Sequence, residues 1–337
     1  EELKSQCLER YLELTKASKA ISKLDVSLSN AVLALQWNYC CPKITNNSEI
    51  DILNGRHPVV EQFVFERFDS TFVGNDCILD EKKFLWLITG PNMAGKSTFL
   101  RQNALICILA QIGSFVPAEN ATIGISDRIF SRVGSGDDLS KGESTFMVEM
   151  IETASILNQA TDKSIVILDE IGRGTSTWDG FSLAWAIIEN LHNVIKARTL
   201  FATHFHELTV LESKLPNISL YNIEIKENDD EIIFLHKVNK GIAKKSYGVQ
   251  VAKLAGIPKE VLSRANEILD GIENKNNPVE NLNENTNFNK INQQLKENDS
   301  QIVEEIKKIN PDKISPLEAL EILYMLKNIV IKNNKNN

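Results

Sequence analysis

Residues 84–98 read FLWLITGPNMAGKST, an apolar run followed by a glycine-rich turn. Phe84–Thr89 has the length and composition of a buried strand, and Thr98–Ile112 that of a helix. The turn between them, Gly90-Pro91-Asn92-Met93-Ala94-Gly95-Lys96-Ser97-Thr98, is G-x-x-x-x-G-K-[ST] with the strand and helix it requires on either side. Gly90 and Gly95 free the backbone to curl, so that successive N–H groups converge on phosphate oxygens. The helix start adds the positive end of its dipole. Lys96 supplies a mobile cation for β- and γ-phosphates, and the Ser97 hydroxyl is a ligand for Mg²⁺. The expected ligands are ATP or ADP with Mg²⁺.

Downstream, SIVILDE (Ser164–Glu170) is a second buried-type strand that ends in two carboxylates. Ligands of parallel α/β sheets bind at such strand ends. Asp169 is placed to hold Mg²⁺ through water, and Glu170 to polarise the attacking water. The loop IGRGTSTWDG (Ile171–Gly180) offers glycines and hydroxyls suited to a tight turn beside phosphate. TLFATH (Thr199–His204) puts His204 at another strand end, where it would sense or polarise the γ-phosphate; His206 lies two residues on. A histidine there also has a purely structural reading. In SKGESTFMVEM (Ser140–Met150), Ser144 has two readings: N-cap of the helix that follows, or a helix start offered to a phosphate.

The core runs from about residue 84 to 238. Apolar strands alternate with helices near Met147–Gln159 and Gly180–Leu191, and Tyr221–Val238 looks like a hairpin. This pattern predicts an α/β fold with a mainly parallel sheet flanked by helices. Residues 52–89 read as short strands, with turn signals at Asn54-Gly55, Pro58 and Gly74-Asn75. Residues 1–36 carry apolar positions at helical spacing and read as one or two long, packed helices. Residues 247–272 read as helix, turn, helix around Gly256-Ile257-Pro258. The Asn-, Glu- and Lys-rich stretch 273–300 lacks the apolar residues for a core and reads as a disordered linker. Amphipathic periodicity returns over residues 313–332, with Ser315 as N-cap and Pro316 behind it.

Bulk properties narrow the class. The 337 residues are 42% hydrophobic and 24% charged, as in ordinary globular proteins. No apolar run is long enough to span a bilayer, so no membrane partner is expected. The net charge of −8 argues against a broadly basic DNA-binding face. Cys7, Cys40, Cys41, Cys77 and Cys107 show no metal or disulfide framework and read as reduced thiols. The N-terminus, EELKSQCLER, lacks Met and a secretory signal, so the chain is expected to start inside a longer parent.

The motifs together resemble the C-terminal ATPase region of the MutS family of DNA mismatch-repair proteins, in its bacterial-type, mismatch-binding branch. The resemblance runs over residues 1–272 through GRHPVVE (Gly55–Glu61), TGPNMAGKSTFLRQ (Thr89–Gln102) and AQIGSFVPA (Ala110–Ala118). It continues through DRIFSRVGSGDDLSKGESTFMVEM (Asp127–Met150), LDEIGRGTSTWDG, RTLFATHFHEL (Arg198–Leu208) and KSYGVQVAKLAGIP (Lys245–Pro258). The ending SPLEALEILYMLK is similar to the tail of that branch.

The resemblance implies an ABC-type, P-loop ATPase domain over 51–240, preceded by the end of lever helices over 1–50. A helix-turn-helix dimerisation segment (241–272), the linker (273–300) and a small helical module (301–337) would follow. It implies that Phe72 stacks on adenine, that His236 lies near the base, that Asn92 contacts phosphate, and that Ser144 reaches the γ-phosphate held by a second copy. The segment Lys245–Gly271 would dock on that copy in a homodimer. Mismatched double-stranded DNA would be held through parent domains missing here, and a downstream factor of the MutL type would respond. The implied compartment is the cytoplasm, at the nucleoid when on DNA. The mismatch-reading domain with its Phe-x-Glu wedge has no counterpart in this chain. Other readings fit less well. A transporter ATPase would need an LSGGQ-type signature, and the recombination or ribosome-rescue relatives a nuclease-like C-terminal domain. A non-hydrolysing scaffold would not need Lys96, Asp169 and Glu170.

Overall fold

The structure, a computed structural model, describes residues 1–91, 94–134, 145–228, 231–243 and 247–273. The chain opens with α1 (Glu2–Glu9) and α2 (Tyr11–Gln36), then β1 (Lys43–Thr45), β2 (Ile50–Gly55), α3 (Pro58–Phe68) and β3 (Asn75–Leu79). Next come β4 (Leu85–Thr89), α4 (Lys96–Gln111), β5 (Asn120–Gly124), β6 (Ile129–Arg132), α5 (Thr145–Gln159) and β7 (Ile165–Asp169). They are followed by α6 (Thr177–Asn190), β8 (Arg198–Ala202), α7 (Leu211–Lys214), β9 (Ile218–Asn228) and β10 (Glu231–Lys240). Last come α8 (Gly248–Leu254) and α9 (Lys259–Glu273). No helix among the described residues is long and apolar enough to cross a membrane.

Among the described residues, six strands pair in the order β10-β9-β4-β8-β7-β6. β9-β4-β8-β7-β6 are all parallel, and β10 closes one edge as an antiparallel hairpin partner of β9. Strand alternation divides the core between the two faces. Trp86, Ile88, Ile165, Ile167 and Leu200 pack with Phe99, Leu100, Ile106 and Cys107 of α4. Leu85, Leu87, Val166, Leu168 and Phe201 pack with Ala184, Ile187 and Ile188 of α6. A sheet covered on both faces needs strands apolar at every position, and β4, β7 and β8 are buried throughout.

A second sheet, β1-β5-β2-β3, lies over the α4 side, and its Ile50, Ile52, Leu79 and Ile123 join the same cluster. Arg198, fully buried, ties the two sheets. Its guanidinium donates to the carbonyls of Gly124 (2.8 Å) and Lys163 (2.6 Å), and more weakly to those of Glu49 and Ile125 (both 3.3 Å). Burial pulls its pKa below the ordinary arginine value. Neither this bridge nor strands β5 and β6 were legible in the sequence pattern.

Two expectations need correction. Residues 58–68 form helix α3 rather than strand. Pro58 stands at its first turn, and the Nδ1 of His57 accepts from the N–H groups of Val59 (3.3 Å) and Val60 (3.2 Å), capping orphan donors. Burial, and then the charge of Arg101, hold His57 below the usual histidine pKa, which preserves the unprotonated acceptor. The β-branched Val59-Val60 pair favours strand locally, and the cap outweighs it. Second, α1 and α2 form as helices but leave most of their apolar positions exposed. Ala34 is the one residue buried on them, and Leu12 and Leu35 are 71% and 82% exposed. Helices α4, α5 and α6 agree with the reading within a few residues, α8 and α9 flank the turn at Gly256, and the short α7 was not anticipated. The linker beyond Glu273 and the module at 301–337, with Ser315, lie outside the described residues.

Candidate functional site

Parallel pairing brings the C-terminal ends of β4, β8 and β7 to one edge, because Ile88 aligns with Ala202 and Asp169 with Ala202. That edge is where α/β sheets bind ligands. β4 leads there into the turn at Gly90, where Gly90 and Gly95 take φ of +133° and +105°, conformations closed to most side chains. Pro91 and Ala94 are buried within the turn, and Ala94 N–H donates to the Pro91 carbonyl (3.2 Å).

Lys96 begins α4 with only 1% of its surface exposed. Its ammonium donates to the Gly90 carbonyl and lies 3.8 Å from Glu170 Oε1. Burial lowers its pKa, and the neighbouring Glu170 and Asp169 carboxylates act against that shift. A buried cation resting on the Gly90 carbonyl is held where a phosphate oxygen would compete for it.

Ser97, one residue on, donates its hydroxyl to Asp169 Oδ2. The other oxygen, Oδ1, is buried with no hydrogen-bond partner among the described residues. Burial pushes the Asp169 carboxyl above its ordinary pKa, opposed by the Ser97 bond. An unsatisfied buried carboxylate oxygen costs stability, and a divalent cation beside Ser97 would relieve that cost. Among the described residues no group of three or more His, Cys, Asp or Glu is placed to hold a metal ion. Ser97 and Asp169 therefore suit Mg²⁺ bound jointly with phosphate oxygens and water, not a site closed by protein ligands.

Glu170 takes φ +54°, which is costly for a residue with a Cβ. Its N–H donates to the Ala202 carbonyl (2.9 Å), and its Oε2 accepts from Arg173 (2.7 Å). His204 follows β8 on the same edge; it is exposed, with its ring 4.1 Å from that of Phe205. His206 opens the next turn, Phe205 being buried between them.

A cavity of about 440 Å³ opens beside the start of α4. Gly95, Thr98, Phe99 and Gln102 line one side; Phe72 and His236 both face into it. His236 sits at φ +54° on a bulge of β10, and its Nδ1 donates to the Ala94 carbonyl (2.9 Å), tying the hairpin to the turn. Asn75 secures the bulge by donating to the His236 carbonyl (2.9 Å) and accepting from Val238 N–H (2.7 Å). The structure thus gathers Phe72, Gly95, Thr98 and His236 at the cavity, and Lys96, Ser97, Asp169 and Glu170 at the strand ends. Asn92, Met93 and Ser144 lie outside the described residues.

The sequence reading missed the wall that α3 supplies through Val60, Val64 and Phe68, along with Gln102 and Asn75. The His57-Pro58 helix start was the available signal for α3; nothing local marks the reach of Asn75 to His236 and Val238, more than 160 residues away. If Phe72 stacks on a bound base, Phe72→Ala should raise the ATP dissociation constant by about 1–2 kcal/mol, roughly 5- to 30-fold. Equilibrium titration with a fluorescent nucleotide measures this, and an unchanged constant removes Phe72 from the site.

A buried lysine in a strand–turn–helix, facing paired carboxylates on a parallel sheet, defines the class: a P-loop ATPase. Comparison with known proteins gives the family. Residues 86–273 match the family model of MutS domain V, and residues 296–329 that of the DNA mismatch repair protein MutS C-terminal region. The chain belongs to the MutS family and carries its ATPase region. It is 49% identical over 328 residues to the DNA mismatch repair protein MutS of Rickettsia prowazekii (strain Madrid E), covering 96% of this chain and 37% of the relative. It is also 49% identical over 331 residues to that of Rickettsia akari (strain Hartford), again 96% and 37%. The chain spans little more than a third of the relatives it matches.

Proposed function

We propose that this chain binds ATP with its phosphates in the turn Gly90–Thr98 and its base between Phe72 and His236, and hydrolyses it with Glu170 polarising the attacking water. The observation that carries this reading is the buried Lys96 ammonium, placed between the turn and the Glu170 carboxylate. Water oxygen attacks the γ-phosphorus, the bond to the bridging oxygen breaks, and ADP leaves; Glu170 draws on the water's proton. Lys96, the turn's N–H groups and Asn92 bind phosphate oxygens. His204 senses the γ-phosphate, and Thr98 and Gly95 floor the site. Mg²⁺, held by Ser97 and through water by Asp169, supplies charge neutralisation at the phosphates.

The wider reading rests on the family. The bacterial-type branch is supported by the relatives' organisms. A second copy completes each site with Ser144, and Lys245–Gly271 docks the two copies. ATP binding and hydrolysis are coupled through α1 and α2 to a clamp on mismatched DNA formed by segments beyond this chain. The uncovered apolar stripe of α2 suits helices of such segments. A MutL-type factor acts downstream, in the cytoplasm, with the nucleoid as the site of DNA binding. The test is metal removal: phosphate release from ATP should stop when EDTA exceeds Mg²⁺ and return on adding Mg²⁺. Turnover that persists in excess EDTA would overturn the role given to Ser97 and Asp169.

A further inference from the structure

After Glu170 the chain runs through Ile171–Ser176 into α6, and this loop is held more tightly than a surface loop needs to be. Gly172, at φ +88°, lies against the backbone of Gly180, so close that a Cβ on it would come within 2.6 Å of the Gly180 carbonyl oxygen. Gly174 lies against Phe146 of α5; a Cβ there would stand 3.0 Å from Phe146 Cβ. Between these contacts Glu149, also on α5 and only 7% exposed, reaches the loop. Its Oε1 accepts the Gly172 N–H at 2.6 Å, and its Oε2 lies 3.7 Å from the Arg132 guanidinium on β6.

A buried carboxylate is costly, and one shared between the Arg132 guanidinium and a loop N–H calls for a reason. The reason lies two residues back. Glu170 holds a left-handed backbone, a conformation that persists only when its surroundings over-determine it. Two hydrogen bonds bracket that turn: Glu170 N–H to the Ala202 carbonyl, and Gly172 N–H to Glu149. We infer that Glu149 is a positioning residue, which holds Glu170 in register with the phosphate turn by fixing the Gly172 N–H. This rests on the proposed role of Glu170. It also makes α5 part of the support of the hydrolytic carboxylate.

Three variants test it by steady-state hydrolysis, nucleotide titration and thermal unfolding. Glu149→Gln keeps an acceptor oxygen at the same reach, and its kcat should stay within about fivefold of the parent. Glu149→Asp keeps the charge beside Arg132 but withdraws the oxygen by one methylene, and its kcat should fall about 10- to 100-fold. Glu149→Met, similar in volume with no acceptor, should fall as far, and in neither should the ATP dissociation constant change. Because the effect runs through Glu170, adding Glu149→Asp to Glu170→Gln should lower kcat no further. Any of three results overturns the inference: a Gln variant as slow as the Asp variant, an equal loss of ATP binding, or a double variant whose losses multiply. If Glu170→Gln alone hydrolyses ATP at the parent rate, the reading of Glu170 has failed. If that variant is slow while Glu149→Asp and Glu149→Met are not, only the role of Glu149 has.

Discussion

Glu170→Gln is expected to bind ATP within about threefold of the parent and to hydrolyse it about 10²- to 10⁴-fold more slowly, the usual cost of losing a general base. The amide keeps the volume, the contact with Arg173 and the same backbone requirement at φ +54°, so the fold has no reason to respond. What is lost is the negative charge that draws the water's proton. A single-turnover measurement with bound ATP separates this from slow product release, because the chemical step itself should slow. Loss of ATP binding with unchanged chemistry would assign Glu170 a structural task in the turn.

Lys96→Ala should act on binding first. Removing a charge-assisted contact to phosphate from a site this buried costs about 2–3 kcal/mol, roughly 30- to 150-fold in the ATP dissociation constant. Hydrolysis should fall at least as far, since the cation also balances charge developing on the leaving oxygens. The Lys96 ammonium donates to the Gly90 carbonyl, so thermal unfolding checks that the turn survives its loss. An Ala variant that binds and hydrolyses ATP normally would refute the phosphate site. The same variant probes the shared-site proposal. Mixed with Ser144→Ala chains, themselves inactive, it should recover part of the activity, because some mixed pairs hold one undamaged composite site. No recovery, together with a normally active Ser144→Ala chain, would leave a site built from one chain.

Much of this site was legible because its chemistry is local. Gly90, Gly95, Lys96 and Ser97 lie within a single turn, and their spacing states what the backbone must do. Asp169 and Glu170 were legible for the same reason, as charges at the end of an apolar run. Phe72 and His236 were reached only through family resemblance; they are separated by the whole sheet in sequence, and the cavity that joins them exists only once β9 and β10 pair beside β4. Helix α3 was misread although Pro58 reads as a turn signal; a cap from His57 and Pro58 in the first turn outweigh the strand preference of Val59 and Val60.

The sequence by itself determined the class of fold, the glycine turn with its lysine, and the two carboxylates at a strand end, since hydrophobic period and turn chemistry act over a few residues. It also determined that residues 1–36 are helical, but not what covers their apolar positions. Only the tertiary structure decided the strand order, which inserts β8 between the lysine's strand and the carboxylates' strand. It alone placed the Arg198 bridge between sheets and the reach of Glu149 to the Gly172 N–H. Both buried charges meet backbone groups distant in the chain. No local pattern encodes such partners, because a carbonyl or an N–H is the same at every residue and only packing selects which one is met.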